Sequence, residues 1–333
     1  MDEIIKIGLS TKIISIIRDF YSKSNIKISN GHQISNSIKI TKGVLQGETL
    51  SSLLFALFLY DLESFLNERG ITGVSVTHLK EILLLGYADD IVFFADSYNG
   101  MKRIFEAFYE YCQINKLLVN IKKTKIILFQ KGGHGHKKKF TPFRFGTDVV
   151  EYVKENEYLG ITMTQTALFE NNVQKVIRKA KAAISATISL IYSLKIDSWE
   201  VYLKLFDSLV NSLLQFASPV YSIRYLDELE KIQLLFFKRL LNLPQCTPSY
   251  AVRVELGIFH IGANVFKQTL NCMIKVLQMP KCRYPRICFE KLISVMMYDD
   301  KLVKYITGHI KLRKLSLNPS ENLQCRIILT RRY

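Results

Sequence analysis

No Cys-x-x-Cys pair occurs among the six cysteines, at positions 112, 246, 272, 282, 288 and 325. Neither a zinc module nor a disulfide framework is therefore expected, and the thiols read as reduced, intracellular and mostly buried. The His134-Gly135-His136 stretch has no matching ligands nearby and reads as a loop. Acidic residues are scarce, 29 against 46 Lys and Arg, for a net charge of +17. So basic a chain points to an anionic partner, of which nucleic acid is the commonest. The opening "MDEIIKIGLS" has no apolar run behind a basic segment, so no secretory leader is expected. Long hydrophobic runs are missing too. "LLFALFLY" is too short to span a bilayer, and "VYLKLFDSLVNSLLQFA" is broken by Lys204, Asp207 and Asn211. No membrane span and no internal repeat are expected. What is present is apolar: 48% hydrophobic and 11% aromatic residues exclude general disorder. The 333 residues suffice for two or three domains with cores of their own.

Ile13, Ile14, Ile16, Ile17 and Phe20 form a helical stripe. Asn30-Gly31, between β-prone runs, predicts a hairpin with positive φ at both residues. "GVLQGETLSS" is a glycine-bounded turn opening a long apolar helix over about 50–68. Met101, Ile104, Phe105, Phe108 and Cys112 mark an amphipathic helix within 98–117, capped by Asp96 or Ser97. Strands are expected at 123–129, 143–145, 149–153 and 157–163, with a loop after the first of them. Val173, Val176, Ile177, Ala180, Ile184, Ile188 and Ile191 then make a long helix, followed by helices at 199–215, 226–241, 249–256 and 261–278. The expected organisation is α+β first and all-α second, with the change near residue 165.

Inside the first part lies "ILLLGYADDIVFFAD", residues 82–96. Two apolar strands flank Asp89 and Asp90. Successive strand residues point to opposite faces, so the two carboxylates converge only if the chain turns there. Held together they repel, and a cation removes that cost. Oxygen ligands of this kind suit Mg²⁺ or Mn²⁺. An Asp-Asp pair is also ordinary solvated turn chemistry, and the dipeptide alone does not separate the two readings.

The surrounding blocks do. "YADD" between apolar strands resembles the palm signature of reverse transcriptases, in the form seen in non-LTR (LINE-type, jockey-like) retrotransposons. "GVLQGETLSSLLFALFLYDL" (43–62) resembles that family's glutamine-glycine loop and following helix. "LLVNIKKTKIILF" (117–129) and "YLGITM" (158–163) resemble later palm blocks. "LLNLPQCTPSYAVRVELGI" (240–258) and "VLQMPKCRYPRICFEKLI" (276–293) resemble the helical region beyond it. The ordered set covers nearly the whole chain. It implies an α+β partial polymerase palm over 1–165, an antiparallel sheet with helices on one face. A helical thumb over 166–245 and a basic helical C-terminal region over 246–333 would follow.

The resemblance also assigns roles. Asp89 and Asp90 would hold Mg²⁺ or Mn²⁺ for two-metal transfer of a nucleotide to a primer 3′-hydroxyl. Gly43 and Gly47 would allow close backbone approach, with Gln46 touching template or nucleotide. Tyr87 and Ala88 would line the primer side, Lys123 would neutralise or protonate the departing pyrophosphate, and Tyr158 and Gly160 would lie under the primer. The implied partners are an RNA template and a DNA primer, in an intracellular setting that includes the nucleus. A group II intron-type maturase shares the YADD block, but "LPQCTPSYAVRVELG" argues against it.

Two departures stand out. Ser51-Ser52 replaces the family's Ser-Pro, which should loosen the helix start without abolishing it. More seriously, the third carboxylate expected on a neighbouring strand has no counterpart. Asp2 and Glu3 lack an apolar strand around them, and Asp19 belongs to the first helix. The chain thus resembles a polymerase that begins after its first metal-binding strand, without fingers or endonuclease. The alternative is a noncatalytic nucleic-acid-binding relic of the same fold. A second Tyr-Asp-Asp at 298–300 is followed by Lys301 and Lys304 rather than a strand and reads as a helix cap. Lys175, Arg178 and Lys179 fall on one helical face, opposite the apolar stripe, where a duplex backbone could run. Residues 267–333 carry 14 Lys and Arg against four acidic residues, a net of +10 that favours phosphate contacts.

Overall fold

The structure, a computed structural model, describes residues 8, 10–40, 43, 47–77, 80–129, 141–298 and 326–330. Its first half runs α1 (Thr11–Lys23), β1 (Asn25–Ile26), β2 (Ile38–Lys39), α2 (Thr49–Phe58), α3 (Leu62–Glu68), β3 (Val74–Thr77), β4 (Lys80–Ile82), β5 (Leu84–Tyr87), β6 (Asp90–Ala95), α4 (Tyr98–Ile114), β7 (Lys125–Leu128), β8 (Phe143–Phe145), β9 (Asp148–Tyr152), β10 (Glu155–Tyr158) and β11 (Ile161–Thr164). The second half holds α5 (Glu170–Ser193), α6 (Trp199–Leu205), a π-helical stretch Phe206–Asn211, short helical turns up to Tyr225, then α7 (Leu226–Leu240), α8 (Ser249–Leu256), α9 (Ile261–Gln278) and α10 (Tyr284–Tyr298). A last strand, β12 (Arg326–Thr330), joins the sheet of the first half. The mixed α+β architecture expected from the sequence is present.

The main sheet has the order β5-β6-β12-β7-β9-β8. It is not purely antiparallel, as expected, because β7 and β9 pair in parallel. The segment between them is long enough to bring the chain back to the same end, which a parallel pair requires. Nor is the C-terminal region wholly helical. "RIILT" is a short apolar run with two β-branched isoleucines, and such a run suits a strand better than a helix.

Helix α4 covers the sheet because its apolar residues recur at helical spacing. Met101, Ile104, Phe105, Phe108, Tyr111 and Cys112 are each no more than 3% exposed. Ser97 rather than Asp96 caps it, its hydroxyl accepting from the Gly100 amide at 3.0 Å. Phe108 packs at a tilt between Phe93 of β6 (ring centroids 4.8 Å) and Phe145 of β8 (5.7 Å). A Phe108→Ala substitution should cost about 3–5 kcal/mol, through lost transfer energy and a cavity that packed rings cannot close. Urea unfolding measures it; a loss below about 1 kcal/mol would show that this contact does not anchor the helix.

The expected apolar helix over 50–68 is two helices. The chain turns at 59–61, where the Tyr111 hydroxyl donates to Asp61 Oδ1 at 2.5 Å, and Leu62 and Leu66 swing into the core. By length and composition Leu50–Glu68 would suffice to cross a membrane, with 17% of it buried. The helix start at Thr49 survives without proline: Tyr21 donates to Glu48 Oε2 (3.0 Å), and buried Ser51 donates to the same oxygen (3.3 Å). At the first hairpin only Gly31 has positive φ (92°). Asn30 instead accepts from the amides of His32 and Gln33 through its side chain, so one left-handed residue is enough. The strand expected over 157–163 is the hairpin β10–β11, and the helix expected over 199–215 is interrupted by the π-helical stretch. Among the described cysteines only Cys112 is buried; Cys246, Cys272 and Cys282 are exposed and Cys288 is half-buried. The expected loop over 130–139 and the Asp299–Asp300 cap lie outside the described residues.

A second core joins Ala180, Ile184 and Ile191 of α5 to Phe236 and Phe237 of α7, Val252 of α8 and Val265 of α9. It joins residues on both sides of position 245. Glu230 of α7, 6% exposed, ties that helix to α8 and α9: Arg253 donates to it at 2.6 Å and the Ile261 amide at 2.9 Å.

Candidate nucleotidyl-transfer site

Tyr87 pairs with Asp90 across the β5–β6 hairpin, leaving Ala88 and Asp89 as a two-residue turn. Two-residue turns between twisted strands require positive φ, usually supplied by glycine. Here Ala88 adopts φ 51°, a conformation costing a side-chain-bearing residue roughly 1–3 kcal/mol. The turn therefore stores strain beside the carboxylates. Asp90 begins β6 and is 9% exposed, Asp89 is half-buried, and Tyr87 is 65% exposed. The two carboxylates are thus adjacent at a reversal of the chain, as their convergence requires.

The β10–β11 hairpin places Tyr158 within electrostatic reach of this turn. Burial first, and then the negative charge of Asp90, push the Tyr158 phenol above its ordinary pKa. The tip beyond it is Leu159 (φ 47°) and Gly160 (φ 80°). A Cβ at Gly160 would come to 3.0 Å from the Phe216 ring, so a tight fit as well as the positive φ favours glycine. The hairpin is fastened to α5. Buried Asn172 accepts from the Thr162 amide at 2.9 Å, and Lys175 donates to Thr162 Oγ1 at 3.1 Å while pairing with Glu155 at 3.5 Å. Asn171 donates to Glu155 as well, and that hydrogen bond, ahead of Lys175, holds the Glu155 carboxyl below its usual range.

Lys175 is consequently engaged within the protein, unlike the free face expected. Arg178 and Lys179 are exposed and make no ion pair with any described residue. Lys123 sits in the turn before β7 rather than in the strand. Its amide donates to the Asn120 carbonyl (3.1 Å) and side chain (3.2 Å), and Thr124 bonds the same carbonyl. Asn120 is thereby the residue that launches β7. Asn172 was not expected from the sequence, although a polar residue beside Val173 on the apolar face of α5 was a visible signal. Gly43 (φ 83°) and Gly47 (φ 87°) have open space where a Cβ would stand, so their backbone conformation is what favours glycine. Gln46 lies outside the described residues.

Two carboxylates on one turn suit a single hard cation. Among the described residues no group of three or more Asp, Glu, His or Cys stands together. Asp19 is tied to Lys23 at 2.7 Å on the exposed side of α1. The donor set fits one ion and not the pair that two-metal chemistry requires.

Residues 1–163 match the family model described as reverse transcriptase (RNA-dependent DNA polymerase). The RNA-directed DNA polymerase from mobile element jockey of Drosophila funebris is 22% identical over 238 residues, 70% of this chain and 25% of that protein. The chain is thus similar to the reverse transcriptases of non-LTR retrotransposons. The retrovirus-related Pol polyprotein from type-1 retrotransposable element R2 of Popillia japonica is 37% identical over 89 residues, 27% of the chain and 14% of that protein. The chain therefore spans a quarter or less of the relatives it matches. Reverse transcriptases work with divalent metal ions on nucleic acid, and the YADD turn lies inside the matched residues 1–163.

Proposed function

We propose that residues 1–165 act as a partial palm, and the helices from α5 onward as a thumb and basic extension, of an RNA-directed DNA polymerase. The carboxylate pair at the β5–β6 turn carries this reading. Asp89 and Asp90 would hold one Mg²⁺ or Mn²⁺, an ion that screens their repulsion and, when bound, polarises phosphate oxygens. Tyr87 and Ala88 would face a DNA primer, with Tyr158 and Gly160 beneath it on the second hairpin. The Gly43–Gly47 loop, through Gln46, would meet RNA template or nucleotide. Lys123 would lie near the phosphates, and Arg178 and Lys179 would follow the duplex backbone. The lack of a third carboxylate among the described residues favours a second reading for the isolated chain. On that reading it is a nucleic-acid-binding protein that holds the fold without catalysis.

Paramagnetic Mn²⁺ decides whether the turn binds a cation. Line broadening should centre on residues 87–91 and vanish in the Asp89→Asn, Asp90→Asn double variant. Broadening that survives the double variant, or that centres elsewhere, would remove Asp89 and Asp90 from the metal role.

A further inference from the structure

The tip of the β10–β11 hairpin is met by a ring from the helical half. The Phe216 atoms Cε1 and Cζ lie 3.0 and 3.2 Å from the place a Cβ would take on Gly160. Phe216 is nevertheless 51% exposed, so only part of its ring is engaged. A ring half in solvent keeps one direction only if its backbone is held. Ala217, the next residue, adopts φ 52°, a left-handed turn that persists only where the surroundings enforce it. Tyr221, 4% exposed, donates its hydroxyl to the Phe216 carbonyl at 3.0 Å. The Asn172 side chain, bonded to the Thr162 amide of the hairpin, hydrogen-bonds the same phenol. Hairpin, Asn172, Tyr221 and Phe216 thus close a circuit of contacts.

A file of side-chain amides holds the other side of the turn. Asp207, Asn211 and Gln215 stand four residues apart, in one row along the π-helical stretch and the turn after it. The Asn211 amide nitrogen donates to Asp207 Oδ1 at 2.9 Å, and the Gln215 amide nitrogen to Asn211 Oδ1 at 2.7 Å. Gln268 of α9 donates to Gln215 Oε1, and fully buried Ser218 donates to Gln268 Oε1. The file therefore runs from an exposed carboxylate to a buried hydroxyl adjoining Ala217. Its direction is not free. An ionised carboxylate only accepts, so each amide in turn gives its nitrogen toward Asp207 and its oxygen away from it. Links aligned in this way strengthen one another, and one reversed member sets two acceptors face to face.

We propose that Phe216 is a positioning residue for the primer strand, set in place by Gln215 and Gln268. The file fixes the turn at Ala217, the turn fixes the ring, and the ring fixes the Leu159–Gly160 tip. The mechanical part stands on the contacts alone; the primer clause rests on the proposed placement of Tyr158 and Gly160 beneath the primer.

Reversing one link tests it. Gln268→Glu keeps an acceptor for Ser218 but sets a second acceptor against Gln215 Oε1, and Gln215 cannot turn over while Asp207 holds Asn211. Asp207→Asn alone leaves the file intact, because the new amide still offers its oxygen to Asn211. Combined with Gln268→Glu it lets the whole file run the other way with every acceptor satisfied. The first readout is the ring-current shift of the Gly160 α-protons by NMR, with Phe216→Leu defining its complete loss. The shift should collapse in Gln268→Glu, persist in Asp207→Asn and return in the double variant. A shift unmoved by Gln268→Glu, or not restored in the double variant, would overturn the file; one that survives Phe216→Leu would overturn the contact. The second readout is photocross-linking to residues 158–160 by a DNA primer with 4-thiothymidine at its 3′ end, annealed to RNA. Its yield should fall about fivefold in Gln268→Glu and in Phe216→Leu, and be kept by Phe216→Tyr and by the double variant. Total duplex affinity should stay unchanged in Phe216→Leu, which touches no link of the file. A yield that holds while the Gly160 shift collapses would overturn the positioning role. Absence of any cross-link to 158–160 in the unaltered chain would remove the primer clause and leave the file and the ring standing.

Discussion

Raising salt from 50 to 200 mM should weaken binding of this chain to a primer–template duplex by about a thousandfold, if it neutralises roughly six phosphates. The formal charge of +17 supplies the attraction. The structure narrows which residues carry it on α5. Arg178 and Lys179 are exposed with no ion pair to any described residue, whereas Lys175 is bound to Glu155 and Thr162. Removing both free cations, in Arg178→Ala with Lys179→Ala, should reduce the log–log salt slope by about 2. Lys175→Ala should leave the slope nearly unchanged and loosen the β10–β11 hairpin on α5. Affinity should differ little between duplex sequences, since phosphate contacts carry no base information. A filter-binding series across salt with the three proteins measures this. A flat response would exclude phosphate contact as the source of binding, and a slope that drops only with Lys175 would reverse the assignment of the face.

The elements easiest to read from sequence were those whose signal is local. The spacing of Met101, Ile104, Phe105 and Phe108 specifies α4 because one face of a helix meets one sheet, and the burial agrees. The carboxylate turn was legible for the same reason, since apolar strands on both sides leave the chain nowhere to reverse but at Ala88-Asp89. What escaped was decided by partners distant in sequence. The break between α2 and α3 depends on Tyr111 reaching Asp61. Lys175 looks like a surface cation until Glu155 and Thr162 are placed against it. Strand β12 has no meaning on its own; five residues become a strand because β6 and β7 present an open lane. The missing third carboxylate was visible as an absence in sequence, but only the sheet shows which lane adjoins Asp90 and what fills it.

Purified residues 1–333 should extend no primer on an RNA template with Mg²⁺ and deoxynucleotides. In-line phosphoryl transfer requires two ions at a fixed separation, and their ligands must come from more than one strand. The described residues provide Asp89 and Asp90 on one turn and no third carboxylate beside them. The strand paired with β6 opposite β5 is β12, and its sequence is free of acid. An ion held by two neighbouring carboxylates alone lacks the restraint that fixes its position, and misplacement by about 1 Å costs on the order of 10²-fold in rate. Loss of the second ion compounds that loss. The assay compares the chain with its Asp89→Ala, Asp90→Ala variant and with a longer polypeptide that adds an upstream segment carrying an acidic strand. The first two should be equally silent, although both bind duplex, because the fold and the basic helices do not depend on the turn. The longer polypeptide should synthesise DNA, and the same double substitution should abolish that synthesis. Extension by the short chain above the level of its double variant would refute the half-site argument directly. Activity of the longer polypeptide that is indifferent to Asp89 and Asp90 would place the metal chemistry elsewhere in the protein.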